Sequence, residues 1–281
     1  MPELPEVETV TNGLNFAIKN LIVKKVYIRQ YHLRITVSKK VKYVVNNIKV
    51  LRVTRRAKYG IIDFENQYSI VFHLGMSGRI IIERTKFSAL QKHDHILMEF
   101  KEHNHNRTKV RFIFRDPRRF GFFNIYKKAD YNYNKIFKNL GPEPLNKSFS
   151  VKILFKSLNN RSASIKSTLL NQSIISGLGN IYVCESLFLA KLSPFNKSSN
   201  LSMKKISFLY SKIEEVLIKA IKEGGTTIQD HKNISGEIGY FQNYLSVYNR
   251  ENDYCYNNCG GSIKRSMQNG RSTYYCPNCQ K

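Results

Sequence analysis

A proline at position 2 flanked by acids, four clustered cysteines and several Arg-, His- and Gly-bearing turns are the parts of this chain that could do chemistry. The chain begins Met1-Pro2-Glu3-Leu4-Pro5-Glu6-Val7-Glu8. Aminopeptidases normally remove an initiator Met that precedes proline. Removal would leave Pro2 with a free secondary amine beside two carboxylates, Glu3 and Glu6. A terminal amine has a pKa of about 7.7–8.0, so a sizeable fraction is unprotonated near neutrality and can act as a nucleophile. The same residues also make a good helix start. Proline suits a first turn, acids suit the positive end of the helix dipole, and Leu4, Val7 and Val10 would be the core stripe. On these residues alone both readings stand.

Cys255, Cys259, Cys276 and Cys279 crowd into the last 27 residues. Cys276-Pro277-Asn278-Cys279 has knuckle spacing, and its partner pair lies 16 residues upstream, as in a four-thiolate zinc site on a β-hairpin. The first pair has three intervening residues where two are usual, although two to four occur in zinc sites. The competing reading is unmetallated thiols or a degraded finger with one poorly placed ligand. The hairpin also carries Lys264, Arg265 and Arg271, which a structural zinc would position for phosphate. Cys184 stands alone and reads as a small buried hydrophobe.

The whole composition narrows the partner. With 46 Lys and Arg against 20 Asp and Glu in 281 residues, the formal charge is +26, spread along the chain. Such an excess suits a polyanion. No apolar run reaches the roughly 18–20 residues of a membrane span, and the start lacks a signal peptide's basic and apolar regions. The expected address is therefore the cytoplasm or wherever the nucleic acid lies, and a disulfide framework is not expected.

These groups need elements to hold them. The spacing predicts a helix over 2–19. Short β-branched and aromatic runs at 48–53, 60–64, 69–74, 79–83, 95–100, 110–114 and 120–126 predict strands in the rhythm of an antiparallel sandwich. The turns between them hold Arg55-Arg56-Ala57-Lys58-Tyr59-Gly60, His73-Leu74-Gly75-Met76-Ser77-Gly78, Lys92-His93-Asp94-His95 and Asp116-Pro117-Arg118-Arg119-Phe120-Gly121. Leu140-Gly141-Pro142-Glu143-Pro144-Leu145 reads as an interdomain hinge. Beyond it, helices are expected over 165–171, 180–190 and 206–221, the last closed by Gly224-Gly225.

Several of these turns have two readings. Ser176-Gly177-Leu178-Gly179-Asn180 opens a helix and could cradle an anion, or be an ordinary inter-helix turn. Met76 and Phe120 could be core residues at strand ends. Together with Arg118, they are also what a protein needs to replace a base taken from a duplex stack. His73 and His93 could be polar turn residues or DNA ligands.

Taken together, the motifs resemble formamidopyrimidine-DNA glycosylase, the bifunctional repair enzyme for oxidised purines. The resemblance runs from Pro-Glu-Leu-Pro-Glu-Val-Glu-Thr at 2–9, through Arg-Arg-Ala-Lys-Tyr at 55–59, His-Leu-Gly-Met-Ser-Gly at 73–78, Asp-Pro-Arg-Arg-Phe-Gly at 116–121 and Leu-Gly-Pro-Glu-Pro-Leu at 140–145. It continues through Gly-Leu-Gly-Asn-Ile-Tyr at 177–182 and Gly-Gly-Thr-Thr at 224–227 to the final Cys-Pro-Asn-Cys-Gln-Lys. Leu4 favours this enzyme over its sister endonuclease VIII, which usually has Gly there.

The resemblance implies an α+β multidomain fold: an N-terminal antiparallel β-sandwich with flanking helices (1–130), a hinge (131–145), a helical helix-two-turn-helix domain (146–245) and a C-terminal zinc β-hairpin (246–281). It implies damaged double-stranded DNA as partner, bound in the cleft between domains by a monomer, and one structural Zn2+ on Cys255, Cys259, Cys276 and Cys279. Pro2 would attack the sugar C1′, with Glu3 as proton donor at the sugar, Lys58 for β-elimination, Arg271 for δ-elimination and Glu6 ordering the site. Met76, Arg118 and Phe120 would fill the void, Arg118 facing the orphaned cytosine. His73, His93, Arg161, Lys166, Asn180 and Arg271 would contact phosphate or backbone, and 226–240 would close over the flipped base. An endonuclease VIII-like enzyme for oxidised pyrimidines and a non-catalytic zinc DNA-binding module are the two rivals.

Overall fold

The computed structural model describes residues 1–129, 135–147, 149–226 and 239–281. It divides into two units, Met1–Lys138 with Glu223–Tyr240, and Asn139–Lys222 with Phe241–Lys281.

The first unit opens with α1 (Leu4–Ile18). Leu4, Val7, Val10, Leu14, Ala17 and Ile18 recur at helical spacing and are all buried. The helix ends at Lys19, and Asn20 then turns the chain at φ 67°. Next come β1 (Ile22–Ile28), the short α2 (Val41–Val44), β2 (Val50–Arg56), β3 (Tyr59–Phe64), β4 (Tyr68–His73), β5 (Arg79–Glu83), β6 (Asp94–Lys101), β7 (Val110–Arg115), β8 (Phe122–Lys127) and the short α3 (Lys135–Lys138).

These strands form two four-stranded sheets, ordered β1-β6-β7-β5 and β2-β3-β4-β8, with every pairing antiparallel. This is the expected sandwich. Alternate residues turn inward: Ile96, Met98 and Phe100 from β6, Val110, Phe112 and Phe114 from β7, Ile70 and Phe72 from β4. They join the apolar face of α1 in one core. Burying each such side chain contributes about 1.5–3 kcal/mol. Gly60 lies opposite Phe72, and a Cβ there would come within 2.0 Å of the phenyl ring, so the β3–β4 contact requires glycine.

β1 lies outside the expected runs and several strand edges differ from them by one to three residues, two of them for visible reasons. Arg55 and Arg56 finish β2 rather than belonging to the turn, which shrinks to Ala57-Lys58 with Ala57 at φ 52°. The last strand starts at Phe122, because Gly121 N–H is already bonded to Asp116 Oδ2 (2.7 Å).

The second unit holds α4 (Val151–Asn159), α5 (Ile165–Leu170), α6 (Asn180–Leu189) and α7 (Met203–Lys222), with 3-10 turns at Ser198–Asn200 and Phe241–Tyr244. The apolar faces of all four helices meet in a second core. α4 lies outside the helices expected from spacing, although Val151, Leu154, Phe155 and Leu158 keep helical period and Ser150 Oγ caps the start. Leu140–Leu145 is fixed to the 172–176 connection. Gly141 N–H donates to Gln172 O (2.8 Å), Ser176 N–H to Pro142 O (2.9 Å), and Ser176 Oγ to Gly141 O (2.8 Å).

A hairpin of β9 (Lys264–Gln268) and β10 (Arg271–Tyr275) closes the chain through Asn269-Gly270, both at positive φ as a type I′ turn requires. Cys184 and Phe188 of α6 pack with Val247, Ile263, Tyr274, Cys255 and Cys276, so the lone cysteine is the buried hydrophobe expected of it. Glu185, one residue on, is buried and accepts from Ser246, Val247 and Tyr248 N–H at 2.8–3.0 Å. Those three bonds tie the segment entering the hairpin to α6. No helix among the described residues is long and apolar enough to cross a membrane.

Candidate active site and metal centre

Glu3 is the N-cap of α1, and Glu6 sits three residues on, which is capping-box spacing. Glu6 Oε2 accepts from Glu3 N–H at 2.8 Å, and the reciprocal bond from Glu6 N–H to the Glu3 carboxylate is also made. Both side chains are only 2 % exposed, and Pro2 is buried beside them. Helix start and candidate active centre therefore coincide. Removal of Met1 would free the Pro2 secondary amine at this position.

Lys58 occupies the two-residue turn between β2 and β3 and is 6 % exposed. The turn is tied to α1 by Arg55, whose Nε meets Glu8 Oε2 at 2.5 Å while Nη1 donates to Ala57 O at 2.9 Å. Tyr59 pairs with His73 across β3 and β4, their rings 4.8 Å apart. Burial, helped by the Lys58 and Arg34 cations, lowers the His73 pKa to about 4. His73 Nδ1 accepts from Gly75 N–H (2.9 Å), which leaves the ring proton on Nε2 as a donor.

The loops carrying Met76 and Arg118–Phe120 lie against each other. Gly75, at φ 65°, passes so close to the Phe120 carbonyl that a Cβ would sit 2.5 Å from it. Asp116 clamps the pair and is fully buried. Its Oδ1 accepts from Ser77 Oγ (2.6 Å), its Oδ2 from Gly121 N–H, and its carbonyl bonds His95 Nε2 (2.7 Å). Ser77 Oγ also accepts from Arg118 N–H at 3.2 Å. Met76 and Phe120 are 46 % and 44 % exposed, so they are projecting side chains and not core. The Arg118 guanidinium stacks 4.7 Å from the Phe120 ring. His93 is half-buried next to this clamp, its carbonyl accepting from Asp116 N–H at 3.1 Å. Asp116 and Ser77 carry this arrangement and were not among the expected site residues. Their signal is a buried acid and hydroxyl in two separate turns, visible only once the turns meet.

In the second unit Arg271 is exposed at the first position of β10. The carbonyl of the next residue, Ser272, accepts from Lys166 Nζ (3.0 Å) and Asn180 Nδ2 (2.8 Å). Lys166 also donates to Thr273 Oγ1 (2.8 Å), is fully buried, and has its pKa lowered by burial. From there it holds β10. Asn180 Oδ1 is buried without a hydrogen-bond partner. Arg161 is exposed after α4, its Nε on Ser157 O (2.9 Å).

The four clustered thiols converge, all Sγ atoms lying within 4.8 Å of one another. Cys255 and Cys279 sulfurs are 3.7 Å apart and Cys259 and Cys276 3.5 Å, close to the roughly 3.8 Å that tetrahedral Zn–S bonds of about 2.3 Å require. Within the longer first pair Asn258 sits at φ 50°, and Gly260 just beyond it at φ 72°. Gln280 anchors the second knuckle, accepting from Cys276 N–H (2.9 Å) and donating to Leu192 O (2.8 Å). The Gly261 backbone and the neighbouring thiols lower Cys259 to about 7, while burial pushes Cys255 up to about 12 and raises Cys276 as well. The donor set fits a structural metal ion.

Most of the expected lid, 227–238, lies outside the described residues. Its flanks are defined: Thr226 and Tyr240 form an antiparallel bridge, and Tyr240 N–H donates to Glu223 O at 2.9 Å.

Comparison with known proteins covers the same ground. The formamidopyrimidine-DNA glycosylase N-terminal domain matches residues 1–123, the formamidopyrimidine-DNA glycosylase H2TH domain 140–232, and the zinc finger found in FPG and IleRS 257–281. A formamidopyrimidine-DNA glycosylase of Rickettsia felis is 42 % identical over 281 residues, spanning all of this chain and 98 % of its own. One of Roseobacter denitrificans is 39 % identical over 289 residues and the full length of both. Among solved structures, wild-type Lactococcus lactis Fpg in complex with a N7-benzyl-Fapy-dG containing DNA is 32 % identical over the whole of both chains, with a TM-score of 0.90. The same species' Fpg with an abasic site containing DNA is 31 % identical over 99 % of each, with a TM-score of 0.89. Agreement of sequence and fold from the N-terminal proline to the last cysteine knuckle leads to one assignment: the chain belongs to the formamidopyrimidine-DNA glycosylase family, the DNA glycosylases of base excision repair.

Proposed function

We propose that this enzyme removes 8-oxoguanine and formamidopyrimidines from duplex DNA and cleaves the abasic site by β,δ-elimination. The observation that carries the reading is Pro2 at a buried, capped helix start, flanked by Glu3 and Glu6, in a chain of this family.

Once Met1 is removed, the Pro2 amine attacks C1′ of the damaged nucleotide, and the bond to the base breaks. A secondary amine necessarily gives a cationic iminium, an electron sink for expelling first the 3′ and then the 5′ phosphate. Glu3 protonates the sugar, Lys58 assists β-elimination and Arg271 assists δ-elimination. Glu6 holds Glu3 in place.

Extruding the base costs a few kcal/mol, which phosphate contacts and inserted side chains must offset. Met76, Arg118 and Phe120 take the insertion role, Arg118 facing the orphaned cytosine. His73, through its Nε2–H, and His93, Arg161, Asn180 and Arg271 contact the DNA backbone, with Lys166 supporting the hairpin. In this reading 1–130 is the catalytic domain, 131–145 a hinge, 146–245 the DNA-binding domain with its lesion-closing segment, and 246–281 the finger. The finger carries one Zn2+, and the enzyme acts as a monomer in the cytoplasm, at the DNA.

Borohydride trapping tests the proposal directly. Processed enzyme and 8-oxoguanine duplex should give a covalent adduct that is lost in Pro2→Gly. No adduct, or equal trapping by the variant, would refute the mechanism. A panel including oxidised pyrimidines separates this substrate class from an endonuclease VIII-like one.

A further inference from the structure

At the end of α1 remote from Pro2, two adjoining hollows of about 460 and 530 Å3 share Arg84, Thr85 and Lys109 as walls. Phe16 lines one and Phe87 the other. With a rise of about 1.5 Å per residue, Phe16 lies on the order of 20 Å along the helix from the candidate nucleophile. Phe16 is 82 % exposed, more than any other Phe described, and Arg84 and Arg107 have no carboxylate partner among the described residues. We propose that this groove docks an acidic peptide segment of a partner protein, one apolar side chain entering a hollow and its carboxylates meeting Arg84 and Arg107.

Charge favours an anionic occupant: Lys19, Arg84, Arg107 and Lys109 line the hollows against the single acid Glu102. Two features favour peptide over nucleic acid. A guanidinium already lies over one face of each ring, Arg84 on Phe16 at 5.2 Å and Arg111 on Phe87 at 4.6 Å. A base stacked on that face would have to displace the guanidinium, whereas an aliphatic or aromatic side chain can pack on ring edges and arginine stems. Glu102, which also pairs with Lys109, would meet a phosphate in every register of a polynucleotide, but a peptide can place an uncharged residue opposite it.

Fluorescence anisotropy on the full-length enzyme tests this. The probe is a fluorescein-labelled peptide of Asp and Glu with a central Leu-Phe, used at physiological ionic strength. Binding should weaken about tenfold in Phe16→Ser and in Arg84→Glu, and about tenfold when the peptide's Leu-Phe becomes Ser-Ser. Both variants should release damaged base from duplex at the parent rate, which separates this outcome from any failure of the catalytic reading. Equal binding by the variants, equal binding of the Ser-Ser peptide, or tighter binding of a single-stranded oligonucleotide through Phe16 and Arg84 would overturn the proposal.

Discussion

Glu6 Oε1 accepts both the backbone N–H and the hydroxyl of Thr226, at 2.8 and 2.9 Å, across 220 positions of sequence. Its other oxygen accepts from Glu3 N–H. One carboxylate thus joins the start of α1 to the residue that leads into 227–238. Gly225 makes room for it: at φ 80°, a Cβ there would press within 3.0 Å of Glu6 Oε1.

Removing this carboxylate should affect stability and chemistry together. Glu6→Ala leaves buried donors on Glu3 and Thr226 without their acceptor, at about 1–3 kcal/mol each if unrelieved. Glu6→Gln keeps one acceptor oxygen and turns a donor toward the other N–H, so its effect should be intermediate. We expect thermal stability to fall in the order parent, Gln, Ala, with borohydride trapping slowed in the same order. Unchanged trapping in Glu6→Ala would remove Glu6 from the ordering of the site.

Met76 and Phe120 predict the opposite pattern. Both project into solvent from loops fixed by Asp116, so Met76→Ala and Phe120→Ala should change stability by no more than about 0.5 kcal/mol. Base release from 8-oxoguanine duplex should drop about 10- to 100-fold, because the void left by the base is unfilled. Cleavage of a preformed abasic site should drop less. Gel assays on the two duplexes distinguish these outcomes.

Lys166 offers a test of support against direct contact. In Lys166→Met, Ser272 O keeps its bond from Asn180, and Thr273 Oγ1 keeps its bond to Gln268 Oε1, so the protein should fold. The hairpin presenting Arg271 should be looser, and the ratio of δ- to β-elimination product should fall about three- to tenfold. The salt dependence of DNA affinity should stay as in the parent. A salt slope reduced by about one would instead mark a lost phosphate contact.

The finger should hold one zinc per chain despite its irregular first pair. Sulfur separations of 3.5 and 3.7 Å suit four thiolates around one ion. Cys259→Ala should lose the metal, while Cys184→Ala, which sits in the same core outside the cluster, should keep it. Metal analysis of folded protein finding well under one equivalent would contradict this.

Local patterns made much of this protein legible. The Pro2–Glu3–Glu6 start, the alternation of 95–100 and 110–114, the helical stripe of 206–221 and the cysteine spacing each report through residues a few positions apart. Period and spacing are properties of a short stretch, so the sandwich, the helices α1, α5, α6 and α7 and the cysteine cluster follow from sequence alone, while α4 does not. Where strands end was less legible, because Arg55, Arg56 and Phe120 owe their places to partners on other strands or to Asp116. Tertiary structure alone decided the rest. His73 is neutral because burial and the Lys58 and Arg34 cations surround it, and Lys166 is buried because β10 lies across it. Met76 and Phe120 project because Asp116 and Ser77, 39 positions apart, meet beneath them. Each of these depends on which distant backbone arrives alongside, and no pattern within a single segment encodes that.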